Sequence, residues 1–499
     1  GLALRLPFFT ARSLWFDEAF SWRLINVPLS EFVERASADV HPVLYYVLLW
    51  FWMIPARTVG PEGTLAWMRL LSVLLSTATV AAMVGAGRVL FRSRWVGAVA
   101  GLFTAVNAFQ IQYAWEARMY ALGTVLTPLA MVFLARAVFA RASRRTWRAG
   151  LGFGCSLGLL LHVHYYALFS WLALGAAKLL YFLHRMRFGV RSVLRSVNFR
   201  AAEVGFWLSA ILFLPWLPVF LSQVGRVEEA FWIPKFTLFS VPGTLARLFW
   251  GGADHIPPRW AVLASVAALV LVVLSLRRGR SFGDLVAALS FVLPIVLSAA
   301  VSYRTSVFLD RYFLFASLGL ILVLARTLSF LPRRWATSSV GVLASLGLLS
   351  VVQMWTSLDV GERPGARAAA NFLTTEAPPH TTVVVSSPFV YFPMSFHLGC
   401  RPSGTPCFRN FSVSLFSETG ELAHFAGAPI LRSSDIAGPA VFRDSSLGGL
   451  LHDLWVIDTT GFGGSRLAVP TPYVLQREES FPELFAYQGE IIVRHYIPG

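Results

Sequence analysis

Apolar runs about as long as a bilayer is thick recur along this chain, and arginines collect in the short gaps between them. Runs at 65–90, 261–276, 285–301 and 312–324 approach the ~20 residues that a helix needs to cross a ~30 Å hydrocarbon core. Inside lipid the backbone has to satisfy its own polar groups, so such runs fold as helices and the chain is a polytopic α-helical membrane protein. Composition agrees, with 56% hydrophobic and 14% charged residues, where a soluble domain carries about 25% charged.

The formal charge of +16 invites a nucleic-acid reading, but the basic residues form no groove-like patch. They cluster between apolar runs: Arg88, Arg92 and Arg94; Arg141, Arg144, Arg145 and Arg148; Arg185, Arg187, Arg191, Arg195 and Arg200; Arg277, Arg278 and Arg280; Arg333 and Arg334. This is the positive-inside pattern of cytoplasmic loops. It excludes nucleic acid as the partner and leaves membrane lipids.

Loop parity then orders the crossings. The opening residues 1–7 are expected to be the end of a first helix lying largely upstream. If 65–90 enters the cytoplasm at the Arg88–Arg94 cluster, the stretch before it lies outside, so the short run 43–54 is not a complete crossing. It is expected to be a surface helix, as is 29–38, both within one outer loop at 12–62. Further crossings follow at 96–111, 120–139, two within 151–182, then 203–220, 260–276, 284–302, 311–330 and 336–355. A second large outer loop is expected at 223–259, with a surface helix near 245–250. The total is about eleven crossings with the upstream one, which puts the C-terminus outside.

After residue 355 the long apolar runs stop. The expected domains are therefore 1–355, a transmembrane catalytic domain, and 356–499, an extracytoplasmic α/β domain. In the latter, 363–374 has helical spacing, and 382–385, 454–458 and 490–493 have the β-rich apolar pattern of strands. Cys400 and Cys407 are either a short-loop disulfide or two buried thiols, and Cys155 falls in a span as a packing residue.

The first outer loop is conspicuously polar. It carries Arg12-Ser13-Leu14-Trp15-Phe16-Asp17-Glu18-Ala19-Phe20 and Asp39-Val40-His41-Pro42-Val43-Leu44-Tyr45-Tyr46, and Tyr113-Ala114-Trp115-Glu116-Ala117-Arg118-Met119-Tyr120 follows between two crossings. In this order the three motifs resemble the GT-C glycosyltransferases of the protein O-mannosyltransferase and aminoarabinose transferase type. Weaker matches at Leu214-Pro215-Trp216-Leu217-Pro218 and Asp310-Arg311-Tyr312-Phe313-Leu314 extend the resemblance through residue 330. Val43 departs from it, standing where the family has a second proline.

The resemblance implies a GT-C fold and transfer of a sugar from a polyprenyl-phosphate carrier to an acceptor hydroxyl on the outer face of the cytoplasmic membrane, with inversion. Such a displacement needs a carboxylate to take the hydroxyl proton. By resemblance that base is Asp17, with Glu116 as the second acid of a cavity between the two outer loops. Glu18 is a partner of Asp17 or a structural acid capping the following helix. The departing phosphate needs fixed cations: Arg118 first, then Arg311 and Arg304, against the plainer reading of boundary arginines meeting lipid headgroups. His41 either binds the phosphate, helps hold a metal, or fixes a turn. Tyr45, Tyr120 and His164 are assigned to the substrate cavity, and the His162-Val163-His164 pair is weak evidence for zinc. A divalent cation is compatible with the chemistry, and no cofactor is assigned. Trp15, Phe16, Trp216 and Trp232 are expected as interfacial-belt aromatics.

Two other functions compete. A lipid-linked-sugar flippase would place charges along the middle of several spans, whereas these acids gather at one face. A membrane-anchored binding protein would put the work in residues 356–499. An oligosaccharyltransferase is disfavoured because those residues contain no Trp-Trp-Asp motif. The donor sugar and the acceptor, whether protein, lipid or glycan, are left open.

Overall fold

Each crossing expected downstream of residue 60 falls on a helix. The computed structural model describes residues 1–56, 59–141, 143–229, 233–251, 257–358, 360–400, 407, 410–419, 422, 427–442, 453–462, 464, 466–483 and 488–499, with the side chains of 227–229 excepted. Among these residues 8 helices are long and apolar enough to cross a membrane, from Pro61–Phe91 to Arg333–Thr356. The remaining two expected crossings are the shorter Arg94–Val106 and the helix Arg144–Leu161. The run 151–182 is two helices, Arg144–Leu161 and Ala167–Met186, as expected. The loop helices Leu29–Ala38 and Leu44–Trp52, with 10 and 9 residues, are too short to cross.

Two expectations need correction. The crossing that begins near 203 does not end at 220: the candidate span runs Val197–Arg226 and the helix Leu217–Glu229 continues past it. Pro215 sits in a one-turn 3-10 segment, Leu214–Trp216, so its missing N–H breaks no α-helical bond there, and Pro218 falls in the first turn of the next helix. Gln223, placed at the start of a loop, is thus a buried helical residue. Cys155 is exposed instead of packed, because it shares a helix face with Leu151 and Leu159, each four residues away and also exposed.

Contacts divide the chain into two units, each described by itself. The helical unit comprises Gly1–Pro7, His41–Tyr45 and Leu70–Thr356. Its helices approach closely through glycines: a Cβ at Gly150 would meet the Ala201 carbonyl, and one at Gly205 would meet the Gly150 carbonyl. Without a hydrophobic drive between helices in lipid, small residues that bring backbones together supply the packing.

The second unit comprises Phe8–Val40, Tyr46–Arg69 and Ser357–Gly499. It therefore groups most of the first outer loop with the C-terminal residues. Its six-stranded sheet has the order β3-β2-β1-β4-β6-β5. The strands are β1 Thr382–Val385, β2 Ser412–Phe416, β3 Ile436–Ala437, β4 Leu454–Thr459, β5 Tyr473–Pro482 and β6 Glu490–Pro498. β1 pairs parallel with β2 and β4, and β6 runs antiparallel to β4 and β5. β1, β4 and β6 fall on the three runs expected as strands, and β4 is buried throughout. β5 carries Gln-Arg-Glu-Glu on the sheet edge, where charges discourage further pairing, and so had no strand signature. Helix Pro388–His397 contains Pro393 and was equally silent. Cys400 and Cys407 are bonded.

If the glycine contact holds the helices together, Gly205→Leu should destabilise the helical unit by at least ~1–3 kcal/mol, the range for overpacking. Thermal unfolding in detergent should show it, whereas Gly341→Leu, at a position with nothing within 4 Å, should change the midpoint little.

Candidate active site

In the helical unit, several of the expected site residues, His41, Glu116, Arg118, Tyr120, His164 and Arg311, lie where regular helix gives way. Helix Ala108–Gln112 ends in a 3-10 turn, Tyr113–Trp115, and Glu116 is extended before helix Tyr120–Phe139 begins. Non-helical backbone at such a point has to be held by protein groups. Asn107 caps the short helix through its side chain, which accepts from Gln110 N–H at 2.9 Å, and Gln110 Nε2 donates to Ser317 Oγ at 2.8 Å. Trp115 Nε1 donates to the Arg5 carbonyl at 2.7 Å. Glu116 and Arg118 are consequently almost fully buried.

Arg118 Nη2 lies 3.4 Å from His41 Nε2. The His41 turn is tied to the next element by Leu44 N–H, which donates to the His162 carbonyl at 3.2 Å. His164 is the hub of an aromatic cluster: ring centroids lie 6.1 Å away for His41, 5.9 Å for Tyr120, 4.9 Å for Tyr312 and 5.5 Å for Tyr166. The Tyr166 N–H donates to His164 Nδ1 at 3.1 Å, so the ring proton sits on Nε2, which is buried and finds no partner among the described residues. Burial first, then His41, Arg118 and Arg311, hold the His164 pKa well below the usual range, and the ring is neutral.

Arg311 lies over the Tyr312 ring at 5.8 Å. Its neighbour Asp310 is paired with Arg247 at 2.8 Å. Burial, followed by Asp310 and Glu116, raises the Tyr113 phenol pKa. The cluster therefore offers two guanidiniums, a neutral histidine with a spare N–H and several tyrosines in an apolar setting. That is a donor set suited to an anion.

The second unit carries Asp17 and Glu18 in the first turn of helix Phe16–Ile25, where the helix dipole favours negative charge. Asp17 is half-buried. Glu18 is fully buried: Arg69 Nε donates to its Oε1 at 2.8 Å and Nη2 to its Oε2 at 2.6 Å. Arg69 also donates to the carbonyls of Phe9, Arg12 and Ser13. Phe16 packs on Phe389 and Phe392, and Arg23 pairs with Asp435. A small cavity is lined by Arg12, Trp15, Arg363, Glu483 and Gln488 among others. Burial pushes the Glu483 carboxyl up to about 7.

Tyr45 is buried in the helical unit, whereas Arg304 is exposed past the end of helix Phe282–Ser302 and belongs to no described cluster. Of the belt aromatics, Trp15 lines the cavity, Phe16 is packed as above, Trp216 Nε1 donates to Tyr165 Oη at 3.0 Å, and Trp232 lies outside the described residues. Tyr113, Asp310 and Tyr312 join the helical cluster without having been assigned a role from sequence. They lie inside the quoted motifs, so the signal was adjacency to Glu116 and Arg311. Among the described residues no group of three or more His, Cys, Asp or Glu could hold a metal ion.

Removing one member of a buried ion pair strands the other, so Arg69→Met should cost about 3–5 kcal/mol. Thermal unfolding should show it, with part of the loss recovered in Glu18→Gln/Arg69→Met. Glu483 gives a pH signature. Its carboxyl rises from 4.5 unfolded to about 7 folded, so stability is highest below pH 4.5, falls across that window and is flat above it. Glu483→Gln should raise the unfolding midpoint at pH 8.5, with the gain shrinking toward pH 5, and amount to about 1–3 kcal/mol.

No protein-family model matches the chain, and no curated protein matches it. Solved structures do. The Archaeoglobus fulgidus oligosaccharyltransferase solved with Zn and sulfate aligns at TM-score 0.51 and 11% identity over 90% of this chain and 64% of that one. The same organism's AglB, solved with an inhibitory peptide and a dolichol-phosphate, gives TM-score 0.51 and 11% identity over 90% of this chain and 66% of that one. ArnT from Cupriavidus metallidurans in the apo state aligns at TM-score 0.46 and 10% identity, over 99% and 96% of the two chains. This chain spans just under two thirds of the archaeal enzyme's length. Its helices and C-terminal sheet have the GT-C fold found in these membrane glycosyltransferases.

Proposed function

We propose that this chain is an integral-membrane glycosyltransferase that moves a sugar from a polyprenyl-phosphate carrier to an acceptor hydroxyl at the outer face of the cytoplasmic membrane. The observation that carries the reading is the cluster of Arg118, Arg311, His41 and His164 among tyrosines, with Arg118 and His164 buried at its centre, in a GT-C fold. Two cations held in an apolar, aromatic setting suit the phosphate of a lipid carrier. The archaeal protein of this fold was solved with a dolichol-phosphate, which supports a lipid-phosphate donor. The arginine clusters between spans support the orientation, with the C-terminal residues outside.

In this reading the acceptor oxygen attacks the anomeric carbon as Asp17 takes its proton, and the bond from that carbon to the phosphate oxygen breaks on the opposite face. The sugar inverts and the lipid phosphate leaves with the electron pair. Arg118 and Arg311 offset the charge that grows on it, and the neutral His164 offers an N–H donor without adding charge to repel Arg118. Glu18, committed to Arg69, holds the helix that presents Asp17.

Purified protein incubated with a panel of labelled polyprenyl-phosphate sugars should transfer one of them. Asp17→Asn should slow that transfer by about 10²–10⁴-fold, the usual contribution of a general base, and Arg118→Gln should slow it by about 10²–10³-fold, as for loss of one donor to a developing oxyanion. Transfer by Asp17→Asn at the wild-type rate would remove Asp17 from its role. Failure with every polyprenyl-phosphate sugar would overturn the donor class.

A further inference from the structure

The segment leading into the Asp17 helix is irregular, and its carbonyls need partners from elsewhere. Two guanidiniums supply them within the second unit. Arg69 takes the carbonyls of Phe9, Arg12 and Ser13 at 3.1, 2.9 and 3.2 Å. Arg367 takes the two between: Nη2 donates to Thr10 at 3.0 Å and Nη1 to Ala11 at 3.4 Å. Every carbonyl from Phe9 to Ser13 is thereby captured.

Arg367 does more than fill the gap. It lies in the first turn of helix Gly365–Glu376, and its backbone N–H donates to Ser13 Oγ at 3.1 Å. Ser13 Oγ in turn lies 3.2 Å from His397 Nε2, at the end of helix Pro388–His397. Burial, then Arg367 and Arg69, hold the His397 pKa down to about 3, so the imidazole is neutral. Because Ser13 Oγ already accepts from Arg367, its own proton is free to go to His397. Arg367 Nε also pairs with Glu62 Oε1 at 3.0 Å. These contacts end three residues before Phe16, where the helix bearing Asp17 begins.

We propose that Arg367 is a positioning residue for the transfer reaction: from the C-terminal sequence it sets the path of Thr10–Ser13, and so the aim of Asp17, without touching substrate. The inference rests on the reading of Asp17 as base. It gives the C-terminal residues a part in the chemistry beyond any acceptor they bind. A carboxylate mis-aimed by about 1 Å loses rate near 10²-fold while ground-state binding is spared.

The test uses the full chain and whichever polyprenyl-phosphate sugar the wild type transfers. Arg367→Met should lower kcat by about 10–10²-fold with donor KM within about twofold, and hydrogen–deuterium exchange should accelerate over residues 8–20. Arg367→Lys, which keeps a cationic donor, should recover part of the rate. His397→Leu, which removes the Ser13 contact and leaves the Arg367 guanidinium in place, should shift kcat in the same direction by less, and it decides the matter if Arg367→Met does not fold. Wild-type kcat in Arg367→Met, or in His397→Leu where that variant decides, overturns the inference, as does a loss confined to KM. Wild-type transfer by Asp17→Asn instead overturns the base assignment on which it stands, and the two failures are read from different variants.

Discussion

The Glu18–Arg69 pair is the constraint on which the second unit depends. Both side chains are fully buried, and two charges taken out of water are tolerable only when every oxygen and N–H is answered. Arg69 answers both oxygens of Glu18 and spends its remaining donors on the carbonyls of Phe9, Arg12 and Ser13. The pair thus ties Arg69 to the start of helix Phe16–Ile25 and dictates the path of the chain leading into it. Nearby, Trp52 and Trp67 stack at 4.9 Å, each indole donating to the other's carbonyl at 2.8 Å. The segment leading into the Asp17 helix is accordingly tied down along its backbone by hydrogen bonds.

The helical unit solves a different problem. Its glycines bring helices close enough for backbone contact, and that leaves room for one irregular stretch, 113–119, to be buried with its polar side chains. Glu116, Arg118, Tyr113 and Tyr120 are all buried there, and Asn107, Gln110 and Arg5 tie the elements around the stretch together by donating to the carbonyls of Leu248, Leu314 and Ala105. The histidine at the centre is neutral because it is buried, with a second imidazole and two arginines sharing its low-dielectric pocket. The charged groups of the cluster are thus the guanidiniums of Arg118 and Arg311 and the carboxylates of Glu116 and Asp310.

Much of this was legible beforehand. Hydropathy located the crossings, since any backbone in lipid must close its own hydrogen bonds. Loop parity identified 29–38 and 43–54 as helices that do not cross, and apolar β-branched runs located β1, β4 and β6. Motif order pointed to the GT-C fold, to Arg118 and His41, and to the Asp17-Glu18 acids. What escaped was decided by partners distant in sequence. Glu18 and Arg69 are 51 residues apart and Arg367 is 354 residues from Ser13, so no local pattern carries either contact. Edge strand β5 and the proline-bearing helix Pro388–His397 contradict local propensity and exist through tertiary packing.

The amino-acid sequence by itself therefore determined the solvent of this protein, its helical class, the order of its spans and the residue types available for chemistry, because each follows from local hydropathy and charge. Tertiary structure alone decided which of those residues act in company. It buried Glu18 against Arg69, drew His41, Arg118, His164 and Arg311 around a set of tyrosines, left Arg304 exposed, and grouped most of the first loop with the C-terminal residues. The reason is that a buried charge takes whichever partner the fold delivers, and proximity in space is invisible to any window of sequence.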